Sequence, residues 1–314
     1  MSETISDAVR KGYGTVAKSG LSSDQGNIKG IANAFGYSDE ELASIPAEAN
    51  MGLSCGNPVA IASIKEGETV VDLGAGGGLD VFLASKSVGP NGMAIGIDMT
   101  GDMVSLARKN AEKGGYENVK FYLAEIEAMP LQDNSVDCVI SNCVLNLCAD
   151  KDVALAEVFR VLKPGGRFAI SDIALRKVLP EAIKKEVAAW TGCIAGALSI
   201  DENREALLKT GFSQIDIQDA KSDLNAYKDG GHAACCGPES KADMSGGGCC
   251  GEPASEPEPK IVEESGFCCG ECTDDEKTDE QVASEYHDTM SDLLDEFDVN
   301  EYAASVKIFA LKPE

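Results

Sequence analysis

Residues 70–100, VVDLGAGGGLDVFLASKSVGPNGMAIGIDMT, constrain the fold more than any other stretch of this chain. An apolar run of Val70, Val71 and Leu73 leads into a turn holding Gly74, Gly76, Gly77 and Gly78. A helical segment follows, then a second apolar run of Ala94, Ile95 and Ile97 closed by Asp98. A turn so rich in glycine lets a ligand lie against bare backbone. The helix after it points unpaired N–H groups at that ligand. An acid ending the second strand suits a ribose diol, because a carboxylate accepts from both hydroxyls.

Two cofactor classes use such an arrangement. A dinucleotide site needs G-x-G-x-x-G, and counting from Gly74 puts Leu79 where the third glycine belongs. The pattern present is D-x-G-x-G-x-G, on Asp72, Gly74, Gly76 and Gly78. It resembles motif I of the class I S-adenosylmethionine methyltransferases, which implies S-adenosylmethionine as cofactor.

Around this unit, predicted strands at 69–73, 93–98, 119–123, 136–141, 167–172 and 212–218 alternate with helices. Asp102 to Gly114 is predicted helical and ends at Gly114 and Gly115; Lys151 to Leu162 is another helix, stopped by Pro164, Gly165 and Gly166. Alternation of this kind implies an α/β, doubly wound, mostly parallel sheet. Residues 1–65 read as a helical N-terminal cap. Near residue 222 the composition changes, and the stretch 229–283 is rich in Gly, Cys, Glu, Asp, Ser and Pro. It lacks the branched apolar residues needed for a core. Asp292 to Phe297 reads as a short helix and Ser305–Leu311, SVKIFAL, as a strand. The expectation is a seven-stranded Rossmann-like methyltransferase sheet over 66–222 and 284–314. Its last strand is antiparallel and pairs with 212–218, and 223–283 forms a flexible Cys-rich insertion between the two.

The chain has 314 residues, with 27 Lys+Arg against 53 Asp+Glu and a formal net charge of −26. Such a field repels phosphate backbones and anionic membranes, so neither nucleic acid nor membrane is expected as a partner. The polar N-terminus shows no signal peptide. The expectation is a cytoplasmic protein with reduced thiols. Twelve cysteines in that setting indicate a soft metal, a metalloid or thiol chemistry rather than a disulfide framework.

Seven of these cysteines lie in the insertion: Cys235, Cys236, Cys249, Cys250, Cys268, Cys269 and Cys272. Adjacent cysteines can chelate a thiophile, either to collect it or to sequester it. Of the other five, Cys138 sits mid-strand in SVDCVI and reads as a small buried hydrophobe. Cys148 can pack or line the site. Cys55 (GLSCGNPVA), Cys143 (SNCVLNLC) and Cys193 (WTGCIAGAL) fall on loops or element ends, where an open sheet binds ligands. Zinc prefers four ligands and short C-x-x-C spacings. These three form no such pair, and the only histidines, His232 and His287, lie in or beside the insertion. A three-coordinate thiophilic centre such as trivalent arsenic suits the set better.

With GLSCGNPVA, DLGAGGGLDVFLA, GIDMT, AEIEAMPLQDNSVDCVISNCVLNL, VFRVLKPGGRFAISDI and TGCIAGAL together, the chain resembles the arsenite S-adenosylmethionine methyltransferases. The resemblance implies that Cys55, Cys143 and Cys193 hold arsenic and carry the chemistry. It implies that Asp72, Gly74 and Gly76 meet the methionine end of the cofactor, that Asp98 and Met99 meet the ribose and adenine, and that Ile126, Glu127 and Asn142 complete that site. It further implies arsenite or its thiol conjugates as substrate, a thioredoxin- or glutathione-like thiol as electron donor, and a monomer. The N-terminal cysteine of some relatives is missing, since the first here is Cys55. Two readings compete: a methyltransferase for another small-molecule acceptor, and a metalloid-buffering thiol protein built on a methyltransferase scaffold.

Overall fold

The computed structural model describes residues 5–179, 193–194, 196–226 and 298–314. Four short helical pieces lead in: α1 (Ile5–Lys18), α2 (Gly26–Ala34), α3 (Asp39–Ala43) and α4 (Pro58–Ile61). Local chemistry sets their starts. Ser38 and Glu41 close a reciprocal capping box on α3, and Asn57 caps α4 with Pro58 in its first turn.

The sheet begins with β1 (Thr69–Leu73), α5 (Leu79–Val88), β2 (Met93–Asp98), α6 (Gly101–Gly114) and β3 (Val119–Leu123). It continues with β4 (Val136–Asn142), α7 (Lys151–Val161), β5 (Leu162–Leu175), α8 (Ile200–Thr210), β6 (Ser213–Asp219), the short α9 (Val299–Tyr302) and β7 (Ala303–Leu311). Strand order is β3-β2-β1-β4-β5-β7-β6. The strands from β3 to β5 pair in parallel, and β7 runs antiparallel to both its neighbours. This is the expected seven-stranded architecture, including the β6/β7 pairing.

Successive strand residues feed opposite faces, as the pleat requires. Val70, Cys138, Ile140 and Ala169 pack with Phe82 of α5 and Val104 and Ala107 of α6. Val71, Val139, Phe168 and Ile170 pack with Leu155 and Val158 of α7 and Leu207 of α8. Chain order reverses between β1 and β4, and the crevice beyond their carboxyl ends is where a doubly wound sheet takes its ligand.

Strands β1, β2 and β3 have the bounds expected from sequence. Strand β5 differs: it starts at Leu162, before the Pro164–Gly166 stretch read as a stop, and runs to Leu175. Its register against β4 jumps from Val136↔Leu162 to Cys138↔Arg167, so Lys163–Gly166 bulge out of the ladder instead of ending it. The helix expected at 292–297 and the Cys-rich stretch lie outside the described residues. No described helix is long and apolar enough to cross a membrane.

Candidate active site

The carboxyl ends of β1, β2 and β4 open into a cleft that holds, together with the open solvent at its entrance, about 1090 Å³ of empty space. Asp72, Gly74, Gly76, Asp98, Met99, Ile126, Glu127, Asn142 and Cys143, all expected from sequence, line it. Gly74, Gly76 and Gly78 take φ values of 65°, 51° and 99°, left-handed geometry that favours glycine. A Cβ on Gly74 would also run into the side chain of Val144. The Asp98 carboxylate accepts from the Gly76 N–H at 2.9 Å and the Thr100 N–H at 2.8 Å, which ties the turn to the end of β2.

Among the described residues, the charged ones lining this cleft are all acids: Asp72, Asp80, Asp98, Glu125 and Glu127. Burial raises the Asp98 carboxyl above its usual range. Burial, reinforced by the charges of Asp80 and Asp98, raises Asp72 well above it. Asp80 is pushed up to about 7 by burial, against hydrogen bonds from Asn142 and Tyr37 that pull it down. Carboxyls crowded together in a dry cleft are relieved by a cation and opposed by another anion. The cleft is therefore suited to a sulfonium- or ammonium-bearing cofactor and ill suited to a pyrophosphate.

Sequence reasoning missed Asp80. It sits in the first turn of a helix, next to Leu79, Val81, Phe82, Leu83 and Ala84, which are buried apolar groups. An acid in an otherwise apolar helical run was the available signal. Asp80 accepts from the Tyr37 hydroxyl at 2.8 and 3.0 Å and from Asn142 Nδ2 at 3.1 Å.

The three singled-out cysteines come together: Cys143 lines the cleft, and Cys55 and Cys193 meet Cys143 without lining the cleft themselves. Cys55 and Cys143 form a disulfide with Cα atoms 5.8 Å apart and 88 residues apart in sequence. The Cys193 Sγ–H donates to the Cys143 carbonyl at 2.7 Å. All three are buried in one apolar cluster with Ile173, Ile194 and Leu179. Cys143 and Cys193 have φ values of 58° and 64°, sparsely populated for non-glycine residues and found where surrounding structure imposes them. Burial, then the charge of Asp172, holds the Cys193 thiol well above its usual range. With two of the three sulfurs bonded to each other, no cluster of three or more His, Cys, Asp or Glu among the described residues is arranged to hold a metal ion.

Cys138 is fully buried in the core, its thiol pushed up to about 12 by burial, as its mid-strand position implied. Cys148 both packs and lines the cleft. A second acid that the sequence did not flag is Asp172, at the end of β5. Its Oδ1 accepts from Asn146 Nδ2 at 2.9 Å and the Ile173 N–H at 2.8 Å, while its buried Oδ2 has no partner among the described residues. The seven cysteines of the insertion, His232 and His287 lie outside the described residues.

A doubly wound sheet with its last strand antiparallel, a glycine turn after β1 and an acid closing β2 define a Rossmann-like cofactor-binding fold. Residues 64–225, just over half of the chain, match the methyltransferase-domain family model. The chain belongs to that family. Among curated proteins, an arsenite methyltransferase from Halobacterium salinarum is 44% identical over 198 residues, which are 63% of this chain and 50% of that protein. The chain thus spans about half the length of this relative. Among solved structures, an arsenic(III) S-adenosylmethionine methyltransferase from Chlamydomonas reinhardtii is 33% identical over 64% of this chain and 68% of its own, with a TM-score of 0.49. Phosphoethanolamine N-methyltransferase 2 of Haemonchus contortus, solved with S-adenosyl-L-methionine, is 16% identical, covers 91% of this chain and 57% of its own, and has a TM-score of 0.60; it shares the fold.

Proposed function

We propose that this chain transfers a methyl group from S-adenosylmethionine to trivalent arsenic held by Cys55, Cys143 and Cys193. The observation that carries the reading is the convergence of these three residues, 50 and 88 positions apart, on Cys143, which lines a cleft whose charged groups among the described residues are all acids. The similarity to arsenite methyltransferases supports it.

The residues present fit the cofactor. The left-handed turn at Gly74–Gly78 leaves backbone bare for it, and the remaining lone pairs of Asp98 can accept from ribose hydroxyls. Asp72 and Asp80 line the same cleft and would offset its positive charges. When bound, the cofactor supplies an electrophilic methyl on a sulfonium leaving group.

The chain's own task is then to hold the acceptor in line with that methyl. Reduction of the Cys55–Cys143 disulfide frees two thiols beside Cys193. Arsenite is a neutral trihydroxide near neutral pH, so the acidic cleft does not repel it. Each thiol that replaces a hydroxide releases one water. Three sulfurs occupy three positions on arsenic and leave its lone pair as the nucleophile, so no general base is needed for transfer. Transfer oxidises arsenic from +III to +V. Joining two of the bound sulfurs returns two electrons to arsenic; the methylarsenic(III) left on the third sulfur takes a hydroxide from water, which releases a proton, and a Cys55–Cys143 disulfide is the other product. A thioredoxin- or glutathione-like dithiol would reset the pair.

Arsenic speciation tests the reading. Protein is incubated with S-adenosylmethionine, arsenite and a thiol reductant, and products are separated by chromatography with mass detection. Methylated arsenicals are expected from the wild type, with none from Cys143→Ser or Asp98→Ala. Arsenite retained by protein that makes no methylated product would replace the proposal with a buffering role. Full activity in Cys143→Ser would remove the thiol assignment.

A further inference from the structure

The peptide carrying Cys55 is clamped from several sides. Its N–H donates to Asn142 Oδ1 at 3.0 Å, and its carbonyl accepts from the Ser305 hydroxyl at 2.6 Å. The next carbonyl, on Gly56, accepts from Asn142 Nδ2 at 2.8 Å. Gly56 itself lies against Ser171, whose side chain would be 2.7 Å from an added Cβ. Asn142 is thus engaged on both ends of its amide. The orientation of that amide follows from chemistry alone: the Cys55 N–H can only donate, and the Gly56 carbonyl can only accept.

A second set of contacts fixes the Asn142 side chain from behind. Its Nδ2 also lies 2.9 Å from the Tyr37 hydroxyl and 3.1 Å from Asp80 Oδ2. The Tyr37 hydroxyl donates to the Asp80 carboxylate. Tyr37 is 2% exposed and Asp80 5%, so water does not compete for these bonds. Asp80 stands in the first turn of α5, directly after the glycine turn that bounds the cofactor cleft, and Asn142 immediately precedes Cys143. One side-chain cluster therefore connects the cofactor turn, the start of the Cys143 segment and the Cys55 backbone.

We propose that Tyr37, Asp80 and Asn142 form a positioning cluster that fixes Cys55 against Cys143 and at a set distance from the cofactor turn. The inference rests on reading Cys55 and Cys143 as the acceptor-binding thiols. It assigns Asn142 a duty toward the thiol loop in addition to lining the cleft. A charged buried network is costly when half satisfied, so its members act as a unit.

Asn142→Asp is the discriminating variant. It keeps the size of the side chain and the acceptor for the Cys55 N–H. It turns the other end into an oxygen facing the Gly56 carbonyl and the Asp80 carboxylate. The readout is the equilibrium of the Cys55–Cys143 disulfide in glutathione redox buffers, measured by alkylation and peptide mass analysis. It needs neither arsenic nor methyl transfer, so its outcome is separate from that of the speciation assay. The effective concentration of the pair is expected to fall by about tenfold or more in Asn142→Asp. Most of that loss should return in Asn142→Asp with Asp80→Asn, which restores a donor opposite the new oxygen. A purely structural role would lower melting temperature without changing the disulfide equilibrium of the folded fraction. A change below twofold in a folded Asn142→Asp, or no recovery in the double variant, overturns the proposal. If Asn142→Asp does not fold, Tyr37→Phe, which removes one oxygen, decides by the same twofold criterion.

Discussion

Gly74→Ala isolates how the glycine turn is built, and its cost can be worked from two separate contacts. The first is conformational. Gly74 has φ 65°, and an alanine held there costs on the order of 1–2 kcal/mol. The second is steric. The new Cβ would run into the methyl groups of Val144, the residue after Cys143, and relief requires that side chain or the turn to shift. Overpacking of this kind costs about 1–3 kcal/mol. The sum, roughly 2–5 kcal/mol, corresponds to about 2–4 °C of melting temperature per kcal/mol. Urea or thermal unfolding of Gly74→Ala, Val144→Ala and the double variant separates the two parts. Val144→Ala removes the obstructing methyls but leaves φ unchanged. The double variant is therefore expected to be more stable than additivity allows, with a coupling of about 1–3 kcal/mol. Strict additivity would refute the steric part. A Gly74→Ala protein as stable as the wild type would refute both.

Two other perturbations test groups around the same sheet. Asp172 is raised to about 7 by burial, against hydrogen bonds from the Ile173 N–H and Asn146 and the charge of Lys151. A carboxyl with a raised folded pKa stabilises the fold below its unfolded value and loses that contribution as pH rises through the folded value. Between pH about 4 and about 7 it therefore makes the wild type less stable with rising pH. Asp172→Asn should flatten that slope in urea midpoints taken across this window, and an unchanged slope would contradict the assignment. Five residues earlier in β5, Arg167 is 9% exposed and pairs with Glu68 through both terminal nitrogens, at 2.9 Å for Nη1–Oε1 and 2.5 Å for Nη2–Oε2. Arg167→Met would leave Glu68 in a mostly buried position without its partner and is expected to cost about 3–5 kcal/mol by chemical denaturation. A loss below 1 kcal/mol would show that water replaces the guanidinium there.

Strands β1, β2 and β3 were legible residue by residue because short apolar runs are bounded by glycine, asparagine and acidic residues that cannot continue them. The lower part of β5 was not. Pro164, Gly165 and Gly166 carry a local signal for a stop, but pairing with β4 and β7 draws the chain through a bulge. Local propensity yields there to ladder hydrogen bonds supplied by strands remote in sequence. The cofactor turn was legible for the reason β1 was: positive φ and close approach demand glycine, and glycine is visible in a sequence. Asp80 was passed over because an acid inside an apolar helix has no meaning until its partners are known. Those partners, Tyr37 and Asn142, are 43 and 62 positions away.

By itself the sequence determined the βαβ order, the glycine turn with Asp72 and Asp98 around it, the pairing of the last two strands and the three cysteines worth watching. These follow from residue type and spacing along a few tens of residues, where backbone sterics and side-chain periodicity act. Tertiary structure alone decided which sulfurs meet, with Cys55 joined to Cys143 and Cys193 beneath the Cys143 carbonyl. It also decided that five acids and, among the described residues, no basic group line the cleft, and that Tyr37, Asp80 and Asn142 share their hydrogen bonds. Burial and distance between residues far apart in the chain set both the raised carboxyls and the clamped cysteine loop. Those quantities exist only once the sheet has brought its strand ends together.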